Sequence, residues 1–203
     1  MLLSTGACLS TNTYATPDVV PVGRWEASLD LDAAHITHTA STPHFARKAE
    51  IVDEVAFVPN VVTRAGVADR VDIGIGGPIT PRFDVKVQLA KGPLAAALDP
   101  RVQLVAFDGP GWMVDVPAIL GAKVGSGTML IAVPGVAAAR PAPNLGFDDG
   151  VEIWARLGLG VRFSSRKVYA QPEITAMKRL GEAKDNWLSG GIAFGWRSGE
   201  DEP

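Results

Sequence analysis

The sequence predicts an all-β protein: a closed, antiparallel, up-and-down transmembrane β-barrel of about ten strands, with eight as the smaller possibility. Three observations lead there. Apolar residues fill 47% of the 203 positions and charged residues only 20%, against about 25% charge in an ordinary soluble domain. Yet no stretch approaches the ~18 apolar residues that a membrane-spanning helix needs. Alternation of apolar and polar residues with period two recurs from Gly23 onward, and helical patterning is almost absent.

The elements follow in chain order. Strands are expected at 24–35, 55–66, 70–78, 82–90, 101–107, 112–124, 128–138, 151–163, 167–177 and 187–197. In the first, Trp25, Ala27, Leu29 and Leu31 share one face, and Glu26, Ser28, Asp30 and Asp32 the other. The third sets Val71, Ile73 and Ile75 against Asp72, Gly74 and Gly76. The fourth sets Phe83, Val85, Val87 and Leu89 against Asp84, Lys86 and Gln88. The eighth runs Val151 to Phe163 on its apolar face, against Glu152, Arg156 and Arg162. The last opposes Ile192, Phe194 and Trp196 to Gly191, Gly195 and Arg197. Only Pro93 to Leu98, between Gly92 and Pro100, has the composition for a turn or two of helix.

Alternation alone does not say which face meets water. A soluble barrel turns its apolar face inward and a membrane barrel turns it outward. Glycines on the polar faces (Gly74, Gly76, Gly158, Gly160, Gly191, Gly195) favour the second arrangement. They weaken a solvated strand but leave room inside a crowded lumen. Connection lengths agree: 67–69, 125–127 and 164–166 are short, 91–100 is intermediate, and 36–54, 139–150 and 178–186 are long. Short turns on one side and long loops on the other are the habit of outer-membrane barrels. Outward aromatics then fall at strand ends, Trp25, Phe163 and Trp196 at the short-turn rim and Phe83 and Trp112 at the opposite one, as interfacial girdles require. Val85, Val87, Leu157, Leu159, Val161 and Ile192 are therefore expected to face lipid.

Three regions divide the chain: 1–22, a signal remnant and polar tether; 23–198, the barrel; and 199–203, an acidic tail. The single cysteine excludes a disulfide framework. Leu2-Leu3-Ser4-Thr5-Gly6-Ala7-Cys8 resembles the end of a bacterial lipoprotein signal, which implies lipid attachment at Cys8. Cys8, the Thr-rich stretch after it, Pro21-Val22-Gly23-Arg24-Trp25-Glu26, and Arg64-Ala65-Gly66-Val67-Ala68-Asp69-Arg70-Val71-Asp72-Ile73-Gly74 together resemble small outer-membrane β-barrel lipoproteins of Gram-negative bacteria. The resemblance implies the bacterial outer membrane as location; an even strand count with the ends on the short-turn side puts both termini in the periplasm. It implies no reaction. One departure is the C-terminus, where Phe194 and Trp196 are followed by Arg197 and acidic residues and not by a terminal aromatic.

The inward polar set expected on this register is Glu26, Asp30, Asp32, Arg64, Asp72, Asp84, Lys86, Glu152, Arg156, Arg162, Glu173 and Arg197. Both signs are present, so these groups are expected to pair in a lumen filled by side chains. His35, His38 and His44 lie close in sequence, and the first two are three apart, which would serve a metal if the loop turned. They read instead as solvated loop histidines, and no metal site or cofactor is expected. The glycine strings at Gly74–Gly77 and Gly158–Gly160 open no helix and so are no phosphate cradles. A formal net charge of −3 gives no reason to expect nucleic acid. Partners expected are outer-membrane lipid and envelope proteins. The functional expectation is a structural or scaffolding barrel that binds partners through its outer loops or periplasmic rim, in a surface or motility assembly. The alternatives are a small pore and a membrane-embedded hydrolase using the loop histidines, although no catalytic motif marks an enzyme.

Overall fold

The computed structural model describes residues 11–39, 51–77, 81–105, 111–140, 150–181 and 186–199. Its strands are β1 (Trp25–Thr39), β2 (Ile51–Ala68), β3 (Val71–Gly77), β4 (Arg82–Ala90), β5 (Leu94–Leu98), β6 (Arg101–Val105), β7 (Gly111–Gly125), β8 (Thr128–Arg140), β9 (Glu152–Ser165), β10 (Val168–Arg179) and β11 (Asn186–Arg197). Every pairing between them is antiparallel, and β1 pairs with β11 from Glu26↔Arg197 to Thr37↔Asn186, which closes the sheet. β5 and β6 both lie between β4 and β7, as two halves of one wall position interrupted at Asp99-Pro100. The barrel therefore has ten wall positions. Closure leaves no unpaired edge, which a lipid environment requires.

One element differs from the sequence expectation. Leu94–Leu98, expected as a helical turn, is strand β5. The run Leu-Ala-Ala-Ala-Leu favours helix by propensity, but five residues between prolines cannot repay helix nucleation. Pairing to β4 on one side and β7 on the other satisfies the same backbone groups in a ladder. The expected intermediate connection 91–100 thereby shrinks to 91–93, and all the turns at that end (69–70, 91–93, 126–127, 166–167) are short. The other end carries the longer connections, among them 40–50, 141–151 and 180–185.

The faces are inverted relative to a soluble barrel. Leu157 and Leu159 are 50% and 53% exposed, and Val85, Val87, Val161 and Ile192 share their outer face. Asp72 and Asp84 are fully buried. In water such a band of aliphatics would drive association; in hydrocarbon it costs nothing. Trp25 and Trp196 meet edge to face at 4.8 Å, outside the barrel at the short-turn rim.

The lumen holds more than side chains. Thr11–Val20, expected as part of a tether, runs inside the barrel, with Thr11 to Pro17 all buried. The chain turns inward where Val22 bridges Gly66 of β2. A side chain at Gly66 would collide with the Val20 and Pro21 carbonyls, so glycine is needed there. From that point the segment rises past Asp72, Lys123 and the Ile119–Met129–Ile131–Val133 cluster, reaching Ser189 and Arg156 midway up.

Candidate functional site

Every strand contributes its inward, polar register to the lumen, because successive side chains alternate across a strand. Near β2–β6 the hub is Arg64, which pairs with Asp72, Asp84 and, at 2.7 Å, Asp99. Arg82 Nε donates to Asp84 at 2.9 Å, and Lys86 Nζ lies 3.0 Å from Asp72. Asp72 also accepts the backbone N–H of Val20 at 2.9 Å, which ties the rising segment to this cluster. Around β1, β9 and β11, Glu26 accepts from Arg162 at 3.0 Å and from Arg197 at 2.7 Å, with the Arg162 guanidinium stacked 3.3 Å over Tyr169. Asp30 accepts from Ser28 at 2.7 Å, and Glu152 pairs with Arg179 at 2.9 Å. Such charges are tolerable only because partners stand within hydrogen-bond reach; a lone buried ion would be prohibitively costly.

The centre of the lumen is a cradle for main chain. Arg101 donates to the carbonyls of Asn12 (3.1 Å) and Thr11 (3.3 Å), and Arg156 donates to that of Thr11 (2.7 Å). Both guanidiniums are held by Asp115. Opposite them, Glu173 accepts the successive backbone N–H groups of Thr13 (2.7 Å) and Tyr14 (2.9 Å). Side chains fix the register. Asn12 donates to Asp32 at 2.6 Å and to the Tyr14 hydroxyl at 2.9 Å, and that hydroxyl donates to Asp32. Ser189 bonds Asn12 at 3.2 Å and also Thr11. A side chain on Gly191 would strike the Leu31 carbonyl of β1 as well as the Tyr14 hydroxyl and Asp32, so a bare backbone there makes the space. Charged donors and acceptors form the stronger class of hydrogen bond, and five of them grip the main chain of four consecutive residues.

Of the residues singled out from sequence, all twelve inward candidates face the lumen side of their strands. They gather around Arg64, around Glu26 and at the Thr11–Tyr14 cradle, with Glu152 paired to Arg179. Sequence reasoning missed Arg82, Asp99, Arg101 and Asp115, together with Asn12 and Tyr14. Arg82 continues the Asp84–Lys86 alternation and Arg101 alternates with Gln103, so period two held the signal for both. Asp99 sits in the β5–β6 interruption, and no periodicity reports it. His35 and His38 both lie on β1, at positions an odd number of residues apart, which a strand puts on opposite faces. His44 and Cys8 lie outside the described residues. Among the described residues no three histidine, cysteine or carboxylate groups are placed to hold a metal ion.

The closed sheet, its apolar outer band and its charged interior define a class: a transmembrane β-barrel of the outer-membrane type. No protein-family model matches the chain, and no curated protein matches it. Solved barrels resemble it in architecture. Ail of Yersinia pestis, in a complex with the heparin analogue sucrose octasulfate, is 10% identical with a TM-score of 0.42, over 88% of this chain and 100% of that one. A bacterial polysaccharide outer membrane secretin is 12% identical, TM-score 0.46, over 90% and 100%. Neisserial surface protein A is 14% identical, TM-score 0.38, over 86% and 97%. None of these likenesses carries a function to this chain.

Proposed function

We propose that this chain is a self-sealed outer-membrane barrel, a platform that binds envelope partners through its long-loop end while its own N-terminal segment closes the lumen. The observation that carries the reading is the seat of Thr11–Tyr14 on Arg101, Arg156 and Glu173. A conduit for solutes has no use for a gripped peptide across its middle. Planar-bilayer recording of the purified protein tests it. The wild type is expected to show no discrete conductance steps, and a variant lacking residues 11–20 to show them. Steps in the wild type would overturn sealing. Mild detergent extraction is expected to recover a stoichiometric envelope protein; a solitary barrel would count against the platform role.

A gated pore is the second reading. It is favoured by one feature: the segment is held by non-covalent contacts alone, in front of a wall that stays charged when it leaves. Steps that appear in the wild type only on mild destabilisation would support this reading over the first.

Lipid attachment at Cys8 is a separate proposal with a geometric condition. Three residues reach about 10 Å when extended, and Thr11 is enclosed by the wall. An acylated Cys8 in the periplasmic leaflet therefore requires the segment to leave the lumen. Intact-mass measurement together with conductance tests the pair: acylation predicts an open barrel.

A further inference from the structure

The short-turn rim is rich in cations. Arg24 precedes β1, Arg70, Lys91, Arg166 and Lys167 stand in the turns, and Arg197 ends β11. Among the described residues, the first five have no ion-pair partner. The carboxylates near them are largely spoken for: Asp18 lies 3.2 Å from Lys123, and Glu26 accepts from Arg162 and Arg197.

Three of the arginines, Arg24, Arg166 and Arg197, line one cleft of about 200 Å³, together with residues 18–21 and Ser198. A single water needs only about 10–15 Å³, so the cleft has room for a polyatomic anion. Arg24 lies against the bare Gly199, where an added Cβ would fall 2.9 Å from its Nε. Arg197 gives its Nε to Glu26 and still keeps 42% of its side chain exposed. Trp25 also lines the cleft, and its ring meets that of Trp196 on the outer face. Beyond Trp196 the outer face carries an open apolar groove of about 980 Å³. Ala27 and Ala170 make its floor, since each pairs across the ladder with a large outward side chain: Ala27 with Trp196, and Ala170 with Phe163 and Phe194. A charged cleft and an apolar groove thus adjoin, with the Trp25–Trp196 pair between them.

We propose that the two form a binding site for an anionic glycerophospholipid of the leaflet that meets the short-turn rim. Its phosphate enters the arginine cleft and an acyl chain lies over Ala27 and Ala170. Guanidinium forks match phosphate oxygens, and clustered Arg and Lys draw anionic headgroups. The indoles stand between headgroup and chain, at the level where such rings settle in a membrane. A soluble anion would fill the cleft and leave the groove bare, so the adjoining groove is what favours a lipid. Arg24, Arg166 and Arg197 belong to the wall and its turns, so the site stands whether or not the lumen is sealed.

Native mass spectrometry of the full-length barrel in detergent tests this, by titration with phosphatidylglycerol and with phosphatidylcholine of the same acyl chains. Phosphatidylglycerol is expected to bind roughly tenfold more tightly, as two or three arginines at a headgroup imply. Arg24→Gln combined with Arg166→Gln is expected to remove that preference. Arg70→Gln combined with Lys91→Gln takes as much charge from the same rim and should leave it nearly unchanged. Ala170→Phe fills the groove without touching a charge and should weaken phosphatidylglycerol binding. Heat-modifiable migration on gels verifies that each variant is a folded barrel. Equal binding of the two lipids, equal losses in the two double variants, or full binding by A170F overturns the proposal. Displacement of the lipid by equimolar inorganic phosphate would reduce the site to a soluble-anion cleft and overturns it too. So would much tighter lipid binding by a chain ending at Gly199, which would make the acidic Glu200, Asp201 and Glu202 the occupant.

Discussion

Leu159 stands near the middle of β9 and is 53% exposed on the outer face. If that face lies in hydrocarbon, Leu159→Arg brings a guanidinium close to the bilayer midplane, at a cost of about 2–4 kcal/mol. The folded-to-unfolded ratio then falls by roughly 30- to 700-fold at about 1.4 kcal/mol per factor of ten. Val168 is exposed on the same side of the barrel but at the short-turn end of β10. There an arginine reaches the interface, and Val168→Arg is expected to cost about 0–1 kcal/mol. Urea titration of folding into lipid vesicles, followed by the mobility difference between folded and unfolded barrel, measures both. In a soluble barrel with the same coordinates, neither exposed substitution would move stability beyond about 0.5 kcal/mol. Equal, small effects for the two arginines would refute the placement of this face in lipid.

Four other outcomes are expected. Arg64→Met leaves Asp72, Asp84 and Asp99 without their shared cation, and should cost about 3–5 kcal/mol in the same titration, as breaking a buried pair from one side does; a loss under about 1 kcal/mol would mean that lumen water replaces the arginine. Gly191→Val, which presses on the Leu31 carbonyl and the Tyr14 hydroxyl together, should unseat Tyr14 and produce conductance steps in barrels that still fold by gel mobility, whereas Gly190→Val, where an added Cβ lies 3.9 Å from its nearest neighbour, should leave the barrel silent. Arg156→Met combined with Glu173→Gln weakens both grips on the main chain, so protease added to the purified barrel should cut the N-terminal segment faster than in the wild type; unchanged cleavage would argue against the cradle. Trp196→Ala removes the edge-to-face contact with Trp25 and should cost about 0.5–1.5 kcal/mol beyond the lost area, measured as a double-mutant cycle with Trp25→Ala.

Much of this architecture is written in local sequence. Trp25 to Asp32, Phe83 to Leu89 and Val151 to Phe163 alternate so regularly that the strands, and which residues share a face, follow from period two alone. A slip of one residue would put Asp84 and Lys86 into lipid, so the outward direction of Val85 and Val87 is decided as soon as the chain is read as a membrane barrel. Propensity misled at Leu94–Leu98, where ladders from β4 and β7 outweigh what five residues prefer by themselves. The course of Thr11–Val20 lay beyond sequence reasoning. A polar, aperiodic stretch reads as a tether when viewed alone, since nothing within it says what will satisfy its backbone. Its partners are Arg101, Arg156, Glu173 and Ser189, between 89 and 178 residues away along the chain. They converge on one cradle only when β6, β9, β10 and β11 have closed around a common lumen. Alternation is a property of neighbours and survives in the sequence, whereas the seat of the segment is a property of closure and exists only in the tertiary structure.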